Sequence, residues 1–542
     1  MFGLDRRSTQ VAAPSSPASN RDAGDQQEGC VLEPGRPIEH DLVGGQQQGY
    51  RIKLNAGQFL RVIVEQEGID VVVRVSGPDG RQIMEVDFES RPRGQESVSL
   101  VAGVTGEYRL MVQPRYRGVP AGGYQIRVEE LRLATENDRA LELARNLAED
   151  CLTKLRAGKY AEALSLIEQA RSIRERVLGP DHPEVASAVR RQAVLYNIKG
   201  DYPKAEALFQ RVLMILERSV GPSHPSVAAA LNNLGLIYTE RGDYVRAEPL
   251  LQRAIAMLEA ELTPEHLSVA NFLDSLASLY RDRGDYVKAE PLFQRVLAIR
   301  EKALGPAHLD VAAVVNNLAL LYAESGDYVK AEPLFQRALA IREKALRTGH
   351  PFIADSLDSL ANLYLSRGKI AEAEPLFRRA LASRKKELGP ENQDVAQSLN
   401  NLAKLYWYKG DYPGAEMLYR QALESRERAL GPQHPRVAET LNALARLYVA
   451  KGNIAPAIAL QSRANVISEY SLGLNLSVGS ERQKLAFLAL SSKETDFTLS
   501  LHSRIAPQDP EALSLAFTTL LRRKGRGLDA MTNTIAALRR QA

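Results

Sequence analysis

Tyrosine recurs at 196, 238, 280, 322, 364, 406 and 448, glycine at 158, 200, 242, 284, 326, 368, 410 and 452, and alanine at 163, 205, 247, 289, 331, 373, 415 and 457. Every step is 42 residues, with no insertion or deletion across seven intervals. A period this long is carried by stacked supersecondary units, so the middle of the chain is a solenoid, a propeller or an array. Within one unit, Leu231, Leu234, Gly235 and Tyr238 stand at i, i+3, i+4 and i+7, one face of a helix. Arg241-Gly242-Asp243 breaks that helix, and Ala247, Leu251 and Ala254 share one face of a second. Helical periodicity excludes propeller blades, which are built of strands.

Small residues at Gly235 and Ala247 let the paired helices approach closely. The elements Ala205–Phe209, Ala289–Phe293, Ala331–Phe335 and Ala373–Phe377 carry an A-x3-F spacing that resembles tetratricopeptide repeats and that HEAT repeats lack. The run from Val315 to Lys344, VNNLALLYAESGDYVKAEPLFQRALAIREK, resembles the repeats of kinesin light chains. So do the Gly-Pro-x-His-Pro linkers at Gly179–Pro183, Gly221–Pro225 and Gly431–Pro435. Eight helix pairs fit between 135 and 470, with the first and last the most divergent, as terminal repeats facing water require. The expected fold class is therefore mainly α, an α-α superhelix preceded by a small antiparallel β-sandwich. Pro249, Pro291, Pro333 and Pro375 fall inside the second helices, which must either begin late or kink.

That sandwich is expected over 31–132. Short alternating runs (50–54, 59–64, 71–75, 83–86, 98–101, 108–112 and 124–128) are separated by turn signals such as Gly77-Pro78-Asp79-Gly80 and Gly122-Gly123, giving about seven or eight strands. The pattern from Gly49-Tyr50-Arg51-Ile52 to Gly106-Glu107-Tyr108-Arg109-Leu110 resembles the jelly-roll modules called bacterial pre-peptidase C-terminal domains. Residues 1–30, rich in Ser, Pro, Ala, Asp and Gln without apolar periodicity, read as a disordered leader. Residues 471–542 read as a helical tail, with helices expected at 481–490, 494–505 and 510–538. It resembles the connector between tetratricopeptide arrays and CHAT domains, the caspase-like peptidase modules of bacteria. The chain ends before a catalytic His and Cys could appear, so the resemblance implies at most the sensor part of such a system and no enzyme.

The polar stripe of the first helices is the candidate site. Asn232, Leu236 and Thr239 lie about 110° from the core stripe at 100° per residue. Resemblance to tetratricopeptide superhelices implies that this stripe lines a concave groove. It implies further that Asn residues there, as in kinesin light chains, hold the backbone of an extended peptide. An amide's two donors and one acceptor suit that task. The candidate groove residues are Asn232, Asn233, Arg281, Asn316, Asn317, Asn362, Asn400, Asn401, Lys404, Trp407, Asn442 and Arg446. Trp407, the single tryptophan, falls on this stripe beside Tyr408. The competing reading is that the Asn columns bridge adjacent helices.

Other motifs are weighed against this. His182, His224, His266, His308, His350 and His434 share the 42-residue grid. Helices pack about 8–10 Å apart, whereas zinc ligands lie about 2.0–2.1 Å from a shared ion, so one His per repeat makes caps and not a metal site. Asn392 in the same column fits a cap. Asp70, Asp79 and Asp87 match no calcium loop. The cluster Arg522–Arg526 lacks the interleaved aromatics of nucleic-acid binders. A net charge of +4 over 542 residues demands neither nucleic acid nor an anionic membrane, and no stretch reaches the apolar length of a span. Cys30 and Cys151 make no disulfide framework. The expectation is a cytoplasmic scaffold for a protein or peptide partner, with no cofactor, or an exported one if the true N-terminus lies further upstream.

Overall fold

The computed structural model describes residues 30–42, 46–86, 93–115, 121–476 and 492–523. Nine strands come first: β1 (Cys30–Val31), β2 (Ile38–Leu42), β3 (Gln48–Leu54), β4 (Gln58–Glu67), β5 (Val71–Ser76), β6 (Gln82–Val86), β7 (Arg93–Val101), β8 (Gly106–Pro114) and β9 (Gly122–Leu133). Alternation builds them: in β3, Tyr50, Ile52 and Leu54 are buried while Arg51 and Lys53 face water. The sheets run β2-β9-β4-β7 and β1-β3-β8-β5-β6. Without β1, that is the strand order of an eight-stranded jelly roll. The sheets are not purely antiparallel, because β1 pairs parallel with β3. β1 and β2 lie outside the runs expected from sequence, since a two-residue strand and the half-charged Ile-Glu-His-Asp-Leu carry too little apolar signal.

Sixteen helices in eight pairs follow: α1 (Glu136–Arg156), α2 (Tyr160–Leu178), α3 (Pro183–Ile198), α4 (Tyr202–Ser219), α5 (Pro225–Glu240), α6 (Tyr244–Glu261), α7 (Leu267–Asp282), α8 (Tyr286–Leu304), α9 (Leu309–Glu324), α10 (Tyr328–Ala345), α11 (Pro351–Ser366), α12 (Ile370–Leu388), α13 (Gln393–Tyr408), α14 (Tyr412–Leu430), α15 (Pro435–Ala450) and α16 (Ile454–Leu476). The described tail comprises α17 (Ser492–Ser500), a π-helical segment (Leu501–Ile505) that continues it, and α18 over 510–523. Among the described residues no helix is long and apolar enough to cross a membrane. Of the expected tail helices, 481–490 and the end of 510–538 lie outside the described residues, as do Asp87, residues 1–29 of the expected leader and 524–526 of the basic cluster, while Cys30 belongs to β1.

Each pair closes as the small residues require. A Cβ at Gly235 would stand 2.8 Å from Leu251, so only glycine admits this leucine where other repeats place Ala against Phe. The second helices do not begin late. Pro249, Pro291 and Pro333 are the sixth residues of helices that start at Tyr244, Tyr286 and Tyr328. Each proline withholds one hydrogen bond, from the carbonyl four residues back. Those carbonyls belong to Val245, Val287 and Val329, all exposed, so water satisfies them.

The histidine column caps the first helices. Nδ1 of His182, His224, His266, His308, His350 and His434 accepts the backbone N–H two residues on at 3.1–3.2 Å. Asn392 does the same through Oδ1 at 2.8 Å. A cap of this kind is worth about 1 kcal/mol. His350→Ala is therefore expected to lower the stability by about that amount, while His350→Asn leaves the melting temperature unchanged. Urea titration of both variants checks it.

At its start the array is tied to the sandwich. β9 leads into a capping box between Thr135 and Asp138. Glu142 of α1 accepts from the Val101 backbone at 3.4 Å, and Arg145 donates to the Ser99 carbonyl at 3.4 Å. Further on, the array meets itself. His434 Nε2 lies 2.9 Å from the Ile198 carbonyl, 236 residues away in sequence, and Pro435 abuts Gly200. Repeats six pairs apart are thus in contact.

Candidate functional site

Successive first helices touch (α5 with α7, α7 with α9, α9 with α11, α11 with α13), and no comparable contact joins successive second helices. The first helices therefore form the inside of the curve.

Two ladders of internal polar contacts hold neighbouring helices together; their residues recur on the 42-residue grid, but periodicity does not say what each one touches. In one, a tyrosine hydroxyl donates to a glutamate 32 residues earlier: Tyr238 to Glu206 at 2.8 Å, Tyr280 to Glu248 at 2.7 Å, Tyr322 to Glu290 at 2.6 Å, Tyr364 to Glu332 at 3.1 Å and Tyr448 to Glu416 at 2.5 Å. In four of the five a basic residue three positions after the tyrosine joins the same carboxylate, as Arg283 does on Glu248 at 2.8 Å, whereas Ser325 follows Tyr322.

The second ladder is a column of buried arginines on the second helices: Arg300, Arg342, Arg384 and Arg426. Each donates to the helix that follows or to the one it pairs with. Arg300 reaches the Asp310 carbonyl at 3.1 Å, Asn271 at 2.9 Å and Asp274 at 3.3 Å. Arg342 takes the Phe352 carbonyl at 3.0 Å and Ser356 at 2.7 Å. Arg384 takes Asp355 at 2.6 Å together with Asp358 and Ser398. Arg426 takes the Arg436 carbonyl at 2.6 Å, Thr440 at 2.9 Å and Gln397 at 2.8 Å. Burial pushes the Asp358 carboxyl above its ordinary range, with Arg384 pulling it back. The sequence signal was present, arginine at 300, 342, 384 and 426 on the 42-residue grid.

This network decides the fate of the candidate groove residues. Several are engaged inside the protein. Asn317 donates to Asp274 at 2.9 Å, bridging adjacent repeats. Asn362 donates to the Asp358 carbonyl in its own helix at 2.8 Å. Asn400 contacts Thr440 at 3.2 Å and, with its amide oxygen turned toward Arg426, accepts from both Nη atoms at 3.0 and 3.1 Å. Asn401 accepts from Gln397 at 3.1 Å. Arg281, buried, pairs with Asp282 at 2.8 Å and Glu324 at 3.7 Å.

The last two are covered by the chain's own tail. Asn442 donates to Glu494 of α17 at 2.9 Å, and Arg446 sits 4.9 Å from the Phe497 ring centroid. Glu494 also accepts from Ser468 at 2.9 Å, and Ser468 stands where the arginine column would continue. α17 thus lies against the polar stripe of α15 and the side of α16 at the end of the array.

What is left available is a shorter set. Lys404 is exposed, Trp407 is half-buried and stacks on the exposed Tyr408 with centroids 5.9 Å apart, and Asn233 is half-buried. Asn232 is buried and Asn316 half-buried, and in each Oδ1 has no hydrogen-bond partner. No group of three or more metal-ligating side chains is assembled among the described residues. Of the aspartates considered for calcium, Asp79 instead accepts the Arg81 backbone N–H at 3.0 Å.

Comparison with known proteins agrees with this geometry. The tetratricopeptide repeat profile matches residues 140–217, 184–260, 268–344, 310–386, 352–428 and 394–464. A search of curated proteins returns no match. Among solved structures, the chain is similar to the nearly identical TPR-like repeats of a Podosopora anserina protein classed as a kinesin light chain (29% identity, 38% of this chain and 97% of that one, TM-score 0.33). It is similar also to BtubC (BKLC) from P. vanneervenii (22%, 43% and 92%, 0.35). A third is the Rap protein complexed with competence and sporulation factor (14%, 65% and 99%, 0.37). TM-scores this low carry no inference about a partner. Paired helices at a 42-residue step and a family profile matching more than half of the sequence lead to one conclusion: the chain belongs to the tetratricopeptide repeat family.

Proposed function

We propose that the chain is a protein-interaction scaffold whose first-helix surface binds an extended peptide or partner segment. The observation that carries this reading is the remnant on that surface of polar groups that take no hydrogen bond within the protein, beside an aromatic pair of which Tyr408 is exposed. Lys404, Trp407 with Tyr408, and the amides of Asn232, Asn233 and Asn316 stand on inner helices where Asn317, Asn362 and Asn400 are consumed by internal bonds. A stacked aromatic pair beside a lysine supplies a rigid contact for an apolar side chain, and unpaired amides supply hydrogen bonds for a peptide backbone.

The combined substitution of Asn233, Lys404 and the exposed Tyr408 by Ala is expected to weaken a bound peptide at least about tenfold, a loss of about 1.4 kcal/mol, and to shift the melting temperature little. Fluorescence anisotropy with a peptide selected on the intact chain measures the first, and differential scanning calorimetry the second. Asn400→Ala is unsuited to this purpose, since it strips Arg426 of an acceptor and lowers stability whatever the groove does. Unchanged peptide affinity in the triple variant would refute the proposal.

A further inference from the structure

The turn inside each helix pair carries a glycine at positive φ. At Gly284, Gly326, Gly368, Gly410 and Gly452 a Cβ would meet nothing within 4 Å. Two turns differ. A Cβ at Gly158 would stand 3.7 Å from the Asn392 side-chain amide, and one at Gly200 would stand 3.2 Å from Pro435 and 3.9 Å from His434 Nε2. Both contacts keep one register, since 158 to 200 and 392 to 434 are each one 42-residue step. The turn tips of the first two repeats therefore abut the caps that open the seventh and eighth, edge against edge. Along this seam α4 touches α16, and Leu430 at the end of α14 packs on the apolar cluster of α1, α2 and α3. His434 Nε2 reaches across it to the Ile198 carbonyl at 2.9 Å.

One turn of the superhelix is closed on itself. Because the first helices form its inside and successive helices pack without a break, the described residues wall the inner surface all round. That surface is reached through the two mouths or by parting the seam. The mouths carry elements of their own: α17 lies against the stripe of α15, and the sandwich is tied to α1. The seam is the weakest joint of the ring. Neighbouring repeats share a buried core and the tyrosine and arginine ladders, whereas the seam joins turns and linkers through a few contacts. Joints of that kind open locally at a free energy far below that of global unfolding. A solenoid flexes by a small rotation at every junction between repeats, so the seam can part with no junction broken.

We propose that this seam is the gate of the inner surface: its edges part to admit a partner segment sideways and close behind it. The class of ligand follows. An internal stretch of extended chain, with folded domains on both sides, can be taken without threading an end. The inference rests on the inner-surface reading above and adds to it the route of entry and the kind of segment admitted.

The test locks the seam and offers a ligand that has no free end. Lys199→Cys and Gln433→Cys, both exposed and each next to a seam residue, are combined with Cys30→Ser, which removes the exposed native thiol. The full chain is cross-linked with a short bismaleimide, or capped with N-ethylmaleimide as the open control. The probe is the peptide selected on the intact chain, fused at both ends to folded domains, and stopped-flow fluorescence follows its association. The cross-link is expected to form within one chain, and the locked protein to associate with the probe at least about tenfold more slowly than the capped one. Probe loaded before cross-linking is expected to be trapped, its dissociation slowed by a similar factor, which shows that the lock leaves the binding surface intact. No cross-link between 199 and 433, or equal association rates for locked and capped protein, would overturn the gate and leave the inner surface standing. So would a capped protein that binds the unfused peptide but not the fused probe, since entry would then be through a mouth. A chain on which no peptide can be selected would overturn the inner surface and the gate together.

Discussion

Arg384→Ala is expected to destabilise the array by about 3–5 kcal/mol and to split its thermal unfolding into two steps. The guanidinium is 4% exposed and is shared by Asp355, Asp358 and Ser398. Removing it leaves the Asp358 carboxylate buried with no cation, and an uncompensated buried charge costs far more than the pair contributes. The loss falls between α11 and α13, and apart from the contacts between its first and last repeats the array couples through neighbours, so the two sides melt separately. Replacing both Arg384 and Asp358 by Leu is expected to recover most of the loss, since an apolar pair of similar volume needs no desolvation. Calorimetry of the single and double variants reads both effects. A single Ala variant that melts as the wild type does would show that the ladder carries no stability.

Acidification is expected to open the contact between distant repeats. His434 is 7% exposed, accepts from the Arg436 backbone through Nδ1 and donates through Nε2 to the Ile198 carbonyl, an arrangement that only the neutral ring supports. Burial lowers its pKa from 6.5 to about 4; the Ile198 carbonyl opposes this, and Arg436 and Arg426 reinforce it. The folded form thus binds the proton more weakly than the unfolded chain. The stability contributed is complete above pH 6.5 and drains as pH falls from there to about 4, below which both forms are protonated. Its size is about 3 kcal/mol. His434→Asn keeps an acceptor for the cap, as Asn392 does, and removes the titration. The difference between wild type and His434→Asn in urea denaturation, followed from pH 7 to 4, is expected to grow through this window. A constant difference would exclude the histidine as its source.

Much of the fold is legible in the sequence because the repeat averages over accidents. One 42-residue step places the helix pairs, the close approach at Gly235 and Ala247, and the caps at His182 to His434, where a ring nitrogen two residues before an amide has little else to do. The prolines of the second helices are harder to place. A proline at the sixth helical residue costs one bond from an exposed carbonyl, a price that hydropathy does not record.

The candidate site is half legible. Angle around a helix tells where a side chain starts but not which neighbour it meets. Asn232 and Asn316 keep an unpaired oxygen, whereas Asn317 meets Asp274 from 43 residues away and Asn442 meets a tail helix 52 residues on. Arginine is ordinarily read as surface, which hides Arg300 to Arg426 in plain view.

Photo-crosslinking compares the two faces of the array most directly. A benzoylphenylalanine is placed at Lys404 on an inner helix or at Val287 on the exposed side of a second helix, and each protein is irradiated with a peptide selected on the wild type. Covalent capture from position 404 and none from 287 is the result expected of an inner binding surface. Capture from 287 with none from 404 would place the ligand on the outside and contradict it.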